Sequence, residues 1–348
     1  MKNSKLKIKS EEIARIAGVS RSTVSRVINN YSNVPAETRD RVMKVIQDHN
    51  YYPSVSAQVL AGKRVRTIGL FLNEPGNVSG DSLTNMLLVS VIENASEKGY
   101  YTLTHIIRDI ENEETKRSVK EIFIQNRIDG GIFIGTAIRE PLIEGLVAEG
   151  FVVGVFDQKH LDNPQPNRVV ANFNNDSGMK QAVAYLHGLG HTRIGVINGD
   201  MKRLSGPTKY EGFKKAMSMC NLPINPEWVM SGDFHERSGY EAIHMLLRKT
   251  KDLPSAIIAA NDSVAFGAIR ALKEHGLDVP KDMSIIGFDD HVLSAKHHPA
   301  LTTIRVDFSE MLKALTTDVI AKIEKDTPDI KEITIECSLV VRDSCRRI

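Results

Sequence analysis

Apolar residues recur along this chain at two different spacings, and the change between them marks a boundary. Over the first fifty residues the spacing is helical. Ile13, Ile16 and Ala17 share a face in "SEEIARIAG", Val24, Val27 and Ile28 in "SRSTVSRVIN", and Val42, Val45 and Ile46 in "PAETRDRVMKVIQDHN". Each stretch carries its own punctuation. Ser10 is placed to cap the first helix, Glu11 and Glu12 occupy the turn where the helix dipole favours them, and Gly18 stops it. Ser20 is placed to cap the second helix, and Pro35 stands near the first turn of the third. Two short helices joined by the tight "AGVS" connection, then a supporting helix, predict a helix-turn-helix.

In "YYPSVSAQVLAGKR" (51–64), Pro53 ends what precedes it, and "SVSAQVLAG" has room for a short helix that is marginal in isolation. From Thr67 the pattern becomes short apolar runs alternating with helical stretches. "TIGLFL", "YTLTHII", "GGIFIG", "FVVGVF", "RIGVIN", "SAIIAA" and "MSIIGF" read as strands, near-continuously apolar as expected of strands covered on both faces. "TNMLLVSVIENASEKG" and "SGMKQAVAYLHGLG" read as helices ending at glycine. The alternation predicts an α/β body with parallel sheets, and its length predicts two similar lobes around a cleft. The expected organisation is an all-α helix-turn-helix domain (1–52), a hinge or linker (53–65) and a two-lobed α/β domain (66–348).

Charge sharpens this division. The net charge of +2 conceals 13 Lys/Arg against 5 Asp/Glu through Arg66, and 32 against 38 beyond it. A basic head on a mildly acidic body implies a polyanion partner for the head alone. With 348 residues and 41% hydrophobic content, the chain can bury cores in two or three domains. It contains no run of about 18 apolar residues that would span a membrane. "MKNSKLKIKS" leads into no apolar segment of a secretory signal, and Cys220, Cys337 and Cys345 have no metal-ligand spacing. The expectation is a cytoplasmic protein without a membrane partner.

In a helix-turn-helix the second helix enters the major groove with its N-terminal residues leading. Arg21, Ser22 and Arg26 are then placed to reach base edges, where arginine bonds guanine O6 and N7 bidentately. Thr23, Ser25, Asn29 and Asn30 suit phosphate contacts, and Ser20 joins the same DNA-facing set. If two copies meet over double-stranded DNA, Leu60 in the linker can wedge between base steps in the minor groove, coupling folding of the linker to binding. In the body, ligands of parallel sheets bind outside the carboxyl ends of the strands. Those ends carry Asn73, Asp157, Asn198, Asn261–Asp262 and Asp289–Asp290, side chains that suit neighbouring hydroxyls. Each alone also suits capping the next helix, above all Asp262, which opens "DSVAFGAIRALKEHG".

"EIARIAGVSRSTVSRVIN" with "TRDRVMKVIQDHNYYPSVSAQVLAG" closely resembles the LacI/GalR family of bacterial transcriptional regulators. The resemblance implies operator reading by Arg21, Ser22 and Arg26, and a minor-groove leucine at Leu60 beside Ala57. It extends through "HGLGHTRIGVING", "SAIIAANDSVAFGAIRALKEHGLDVPKDMSIIGFDD" and "HPALTTIRVDF", which look like a regulatory domain related to periplasmic sugar-binding proteins. It thereby implies effector contacts from Asp157, Asn261, Asp289 and Lys209, the last where the family usually has arginine. Lysine keeps the charge but loses the planar bidentate fork. Phe234 matches a position that often carries an aromatic stacking on the ligand, and Asn73 falls in a loop without the "SNPF" pattern common in relatives.

Enzyme motifs are absent: no GxxxxGK[ST], no GxSxG, and no GxGxxG after a strand. His187 and His191 have the spacing of a helical metal pair, but Gly188 and Gly190 are expected to break that helix, and the adjacent His297 and His298 cannot share a helix face. Of Asp289 and Asp290, one is expected to bind ligand and the other to cap or brace. No catalytic residue, metal or cofactor is expected. The reading is a sequence-specific transcriptional regulator, a repressor, controlled allosterically by a small metabolite between the lobes and acting as a homodimer on a pseudo-palindromic operator. A sugar leads among effectors because the strand ends are rich in Asp and Asn. A purine stacked on Phe234, a protein corepressor, or a sugar-binding receptor are the alternatives. "ECSLVVRDSCRRI" holds no leucine heptads, so a coiled-coil tetramer is not indicated.

Overall fold

The computed structural model describes residues 8–51, 62–76, 78–158, 165–325 and 328–348. The chain forms two compact units, Met1–Val65 and Arg66–Ile348. In the first, helices α1 (Ser10–Ala17), α2 (Arg21–Ile28) and α3 (Ala36–Asp48) enclose Ile13, Ala14, Ala17, Val24, Val27, Val34 and Val42. Two sequence expectations fail in α1. Lys9 occupies the N-cap position and no side chain caps the helix, so Ser10 lies inside its first turn. Ile16 is 42% exposed, because α1 turns Ala14 inward and Ile16 then lies about 100° from the centre of the buried face. Ser20 does cap α2, its side chain accepting from the Thr23 N–H, and Gly18 ends α1 at φ 67°, a left-handed conformation that favours glycine. The linker helix expected around Ala57 and Leu60 lies outside the described residues.

The second unit holds two six-stranded sheets. One contains β1 (Thr67–Asn73), β2 (Tyr101–Ile107), β3 (Gly130–Ile134), β4 (Val153–Phe156) and β5 (Arg168–Phe173), with β11 (Lys331–Ile335), in the order β11-β5-β4-β3-β1-β2. The other contains β6 (Ile194–Ile197), β7 (Val229–Met230), β8 (Ala256–Ala259), β9 (Ser284–Asp289) and β10 (Thr302–Val306), with β12 (Cys337–Val340), in the order β12-β10-β9-β8-β6-β7. All pairings are parallel except β10 with β12. Both lobes thus run through the same strand sequence, with a topological switch at β1/β3 in the first and β6/β8 in the second. The interior strands β1, β3, β4, β8 and β9 are buried along almost their whole length, as their apolar runs predict. β2 departs from the expectation. It forms the sheet edge, and Tyr101 is 77% exposed.

The helices are α4 (Ser82–Glu97), α5 (Glu113–Ile124), α6 (Pro141–Ala148), α7 (Asn175–Gly188), α8 (Ser205–Met219), α9 (Glu236–Lys249), α10 (Asp262–Glu274) and α11 (Phe308–Lys325). α7 runs through Gly188, and the turn comes only at Gly190 (φ 97°), which corrects the expectation that Gly188 breaks it. The backbone passes between the lobes three times: from β5 into α7, from β10 into α11, and directly from β11 to β12 through Glu336. Asn174 ties two of these passages, capping α7 at the Ser177 N–H while its amide donates to Glu336 at 3.0 Å. The C-terminal residues then stitch the second lobe, the Ser344 hydroxyl donating to Ile285 O and the Ile348 N–H to Leu189 O.

Candidate nucleic-acid interface and effector cleft

The exposed side of α2 presents the residues expected to meet DNA. Ser20, Arg21, Ser22, Ser25, Arg26 and Asn30 are exposed, with Thr23 and Asn29 half-buried. This follows from the burial of Val24 and Val27 on the opposite side. The hydroxyls form a local network: Ser20 Oγ lies 2.7 Å from Ser22 Oγ and 2.9 Å from Thr23 Oγ1, and Asn29 Nδ2 donates to Ser25 Oγ at 3.3 Å. Arg21 pairs with Glu11 at 3.3 Å in an exposed, screened geometry that a phosphate or base can replace. Asn30 takes a left-handed conformation (φ 53°), and its side chain accepts from Arg39, which also donates to Tyr31 O at 2.6 Å. Ala57 and Leu60 lie outside the described residues.

In the second unit, a cleft holding about 820 Å³ of non-protein space, its mouth included, opens between the lobes at the carboxyl ends of the strands. All six predicted effector residues line it: Asn73, Asp157, Lys209, Phe234, Asn261 and Asp289. Asn198, Asp262 and Asp290 do not. Asp262 is instead a buried brace, accepting from Thr303 Oγ1 at 2.5 Å, Ser294 Oγ at 2.6 Å and the His291 N–H at 2.7 Å; Asn261, rather than Asp262, caps α10. Burial raises the Asp262 carboxyl to about 7 against those hydrogen bonds. Asp290 also braces, binding Arg305 at 2.6 Å and Arg342 at 2.5 Å.

Asp157 and Asp289 have positive φ, 57° and 106°, a conformation that costs energy in a non-glycine residue. Asp157 Oδ2 accepts from the Ser205 N–H at 3.2 Å and from its hydroxyl, while its buried Oδ1 has no hydrogen-bond partner. Asp289, buried opposite in the second lobe, is raised to about 8 by desolvation, against the attraction of Lys209. Lys209 itself donates to Ala260 O at 2.7 Å and sits 3.6 Å from the Phe288 ring centroid. Burial lowers its value, opposed chiefly by Asp289 and then by Asp157. Asn261 is half committed: Oδ1 caps α10 at the Val264 N–H, and Nδ2 donates to Phe234 O. Asn73 donates to Gly135 O at 3.0 Å.

Sequence reasoning missed Glu74, Arg203 and His235, together with the aromatic walls Phe156, Phe173 and Phe308. The first three sit in loops whose approach depends on how the lobes close, while the phenylalanines look like ordinary core residues in their strands and helix. His187 and His191 do not form a metal pair: His191 hydrogen-bonds Ser255 Oγ at 2.8 Å and Arg346 O at 3.0 Å. Among the described residues no group of three or more His, Cys, Asp or Glu is placed to hold a metal, and no helix is long and apolar enough to cross a membrane.

Comparison with known proteins agrees with both units. The profile of bacterial regulatory proteins of the lacI family matches residues 10–54, and that of a periplasmic binding protein-like domain matches residues 183–345. The HTH-type transcriptional repressor PurR of Pasteurella multocida (strain Pm70) is 33% identical over 97% of this chain and 98% of its own length. Among solved structures, the lac repressor dimer bound to operator and the anti-inducer ONPF superposes with a TM-score of 0.80 at 26% identity, covering 97% of this chain and 99% of that one. The transcriptional regulator CelR–cellobiose complex gives a TM-score of 0.74 at 25% identity, with the same coverage. The two sheets with a helical head, the exposed α2 and the inter-lobe cleft therefore have a family: this chain belongs to the lacI family of bacterial regulatory proteins and is a transcriptional repressor.

Proposed function

We propose that this repressor binds a pseudo-palindromic operator as a homodimer and is controlled by an uncharged, polyhydroxylated ring, a sugar, held between its lobes. The observation that carries the effector reading is the pair Asp157 and Asp289, one from each lobe, both turned into the cleft, with Asp157 Oδ1 lacking any protein donor. A buried acceptor without a partner is costly, and a ligand hydroxyl satisfies it. Phe234, beside the cleft, offers a ring face to a pyranose. The relative solved with cellobiose supports the same class. Aromatic side chains from both lobes, Phe156, Phe173 and Phe308 from the first and Phe234 from the second, give a flat purine base the second place.

On DNA, Arg21, Ser22 and Arg26 read bases while Ser20, Thr23, Ser25, Asn29 and Asn30 set register on the phosphates, with Leu60 beside Ala57 as the minor-groove wedge. An effector that prefers one lobe arrangement shifts operator affinity by its differential binding free energy and no more. Thermal unfolding of the full-length protein with a panel of mono- and disaccharides and of purine bases tests the reading. A sugar at about 100 times its dissociation constant is expected to stabilise by about 2.7 kcal/mol. Asp157→Asn is expected to remove most of that shift. A shift from purine bases alone would give the site to the second reading.

A further inference from the structure

Loops from the two lobes meet at the mouth of the cleft. The loop after β1 turns back at Glu74 and is held from below: the Glu74 N–H donates to Ile107 O at 3.0 Å, and Arg108 donates to Glu74 O at 3.0 Å and to Gly76 O. Its Oε1 also accepts from the Gly76 N–H at 2.9 Å. The Glu74 side chain is therefore fixed by its own lobe, and it is only 10% exposed. Facing it from the other lobe are Arg203, 4.0 Å from Oε2, and His235, whose Nε2 is 3.6 Å from Oε1. Arg203 also donates to Asn73 O at 3.5 Å and keeps Asp200 within 3.8 Å. Next to these, the Ile138 N–H of the first lobe donates to Lys202 O of the second at 2.9 Å.

We infer that Glu74 and Arg203, with the His235 ring beside them, form a clasp that sets how firmly the lobes close over the effector. Glu74 and Arg203 also line the cleft, and the role assigned to them is to position the lobes. The inference rests on reading the cleft as the effector site. The physical case is that a carboxylate held by a braced turn gives little conformational entropy away when an arginine reaches it, and partial burial limits screening. An exposed ion pair between two freely moving side chains would lack both advantages.

The Ile138 amide is the probe, since its hydrogen bond exists only while the lobes are together. Hydrogen exchange on the full-length protein, without effector or DNA, is expected to show this amide protected. Glu74→Gln should accelerate its exchange roughly tenfold, about 1.4 kcal/mol in the opening equilibrium. Strand amides of β1 and β8 should keep their rates, which separates opening from unfolding. Glu74→Arg and Arg203→Glu should each accelerate it further, and the two together should restore protection. Unchanged exchange in Glu74→Gln, or no rescue in the swapped pair, would overturn the clasp. Neither result bears on whether a sugar binds, so a failed clasp and a failed effector reading remain distinguishable.

Discussion

Asp289 concentrates the chemistry of the cleft in one side chain. It sits at φ 106°, buried, and its carboxyl is raised from the ordinary 3.8 to about 8 by desolvation. Folding therefore favours its protonated form. Its contribution to stability is complete below the unfolded value and is lost as pH rises through the folded one. Asp289→Asn keeps the shape without the charge. It is expected to melt with the parent protein below about pH 4, to gain on it progressively as pH rises towards about 8, and to melt several degrees above it beyond that. Calorimetric scans of both proteins across that range check this, and parallel pH profiles would show that Asp289 is not the titrating group. The positions of Asp157, Asn261 and Asp289 were legible in the sequence because each closes an apolar run. Glu74 and Arg203 were not, because a charged residue in a loop looks like any solvated residue until the opposing loop is folded.

At the scale of elements, the interior strands announce themselves as unbroken apolar runs because both faces are covered. Lys331–Ile335 hides because it pairs only β5 and alternates half-buried with exposed residues, so its period resembles that of a surface segment. Val229–Met230 is too short to show any period. The helix caps divide in the same way. Ser20 and Ser10 look alike on paper, yet Ser20 Oγ accepts from the Thr23 N–H at 3.1 Å while Ser10 sits one position too far along. Ser20→Ala is accordingly expected to weaken the start of α2 by about 1 kcal/mol. The readout is faster exchange of the Thr23 amide with unaltered melting of residues 66–348. An unchanged Thr23 rate would mean that the bond of the same N–H to Ser20 O, at 3.0 Å, holds this turn without the side-chain cap.

Over the whole molecule, the basic head suits a polyanion, and the proposed function assigns a small ligand to the acidic body. Leu60→Ala tests how the linker joins them. It is expected to weaken binding to a palindromic site selected from random duplexes by about tenfold or more, with nonspecific affinity little changed. Equal losses on both DNAs would remove the wedge. The three passages between lobes have a consequence at an earlier moment in the life of the chain. The first lobe's sheet has five of its strands by Phe173, but the edge strand beside β5 is Lys331–Ile335, and Phe308–Lys325 packs across the same sheet. A ribosome adding about 5–20 residues per second needs on the order of 10 to 30 s to supply them. During that interval the half-finished lobe carries an open strand edge and a bare apolar face while the second lobe is being made. A nascent lobe in that condition is open to misassociation until its own helix and strand arrive.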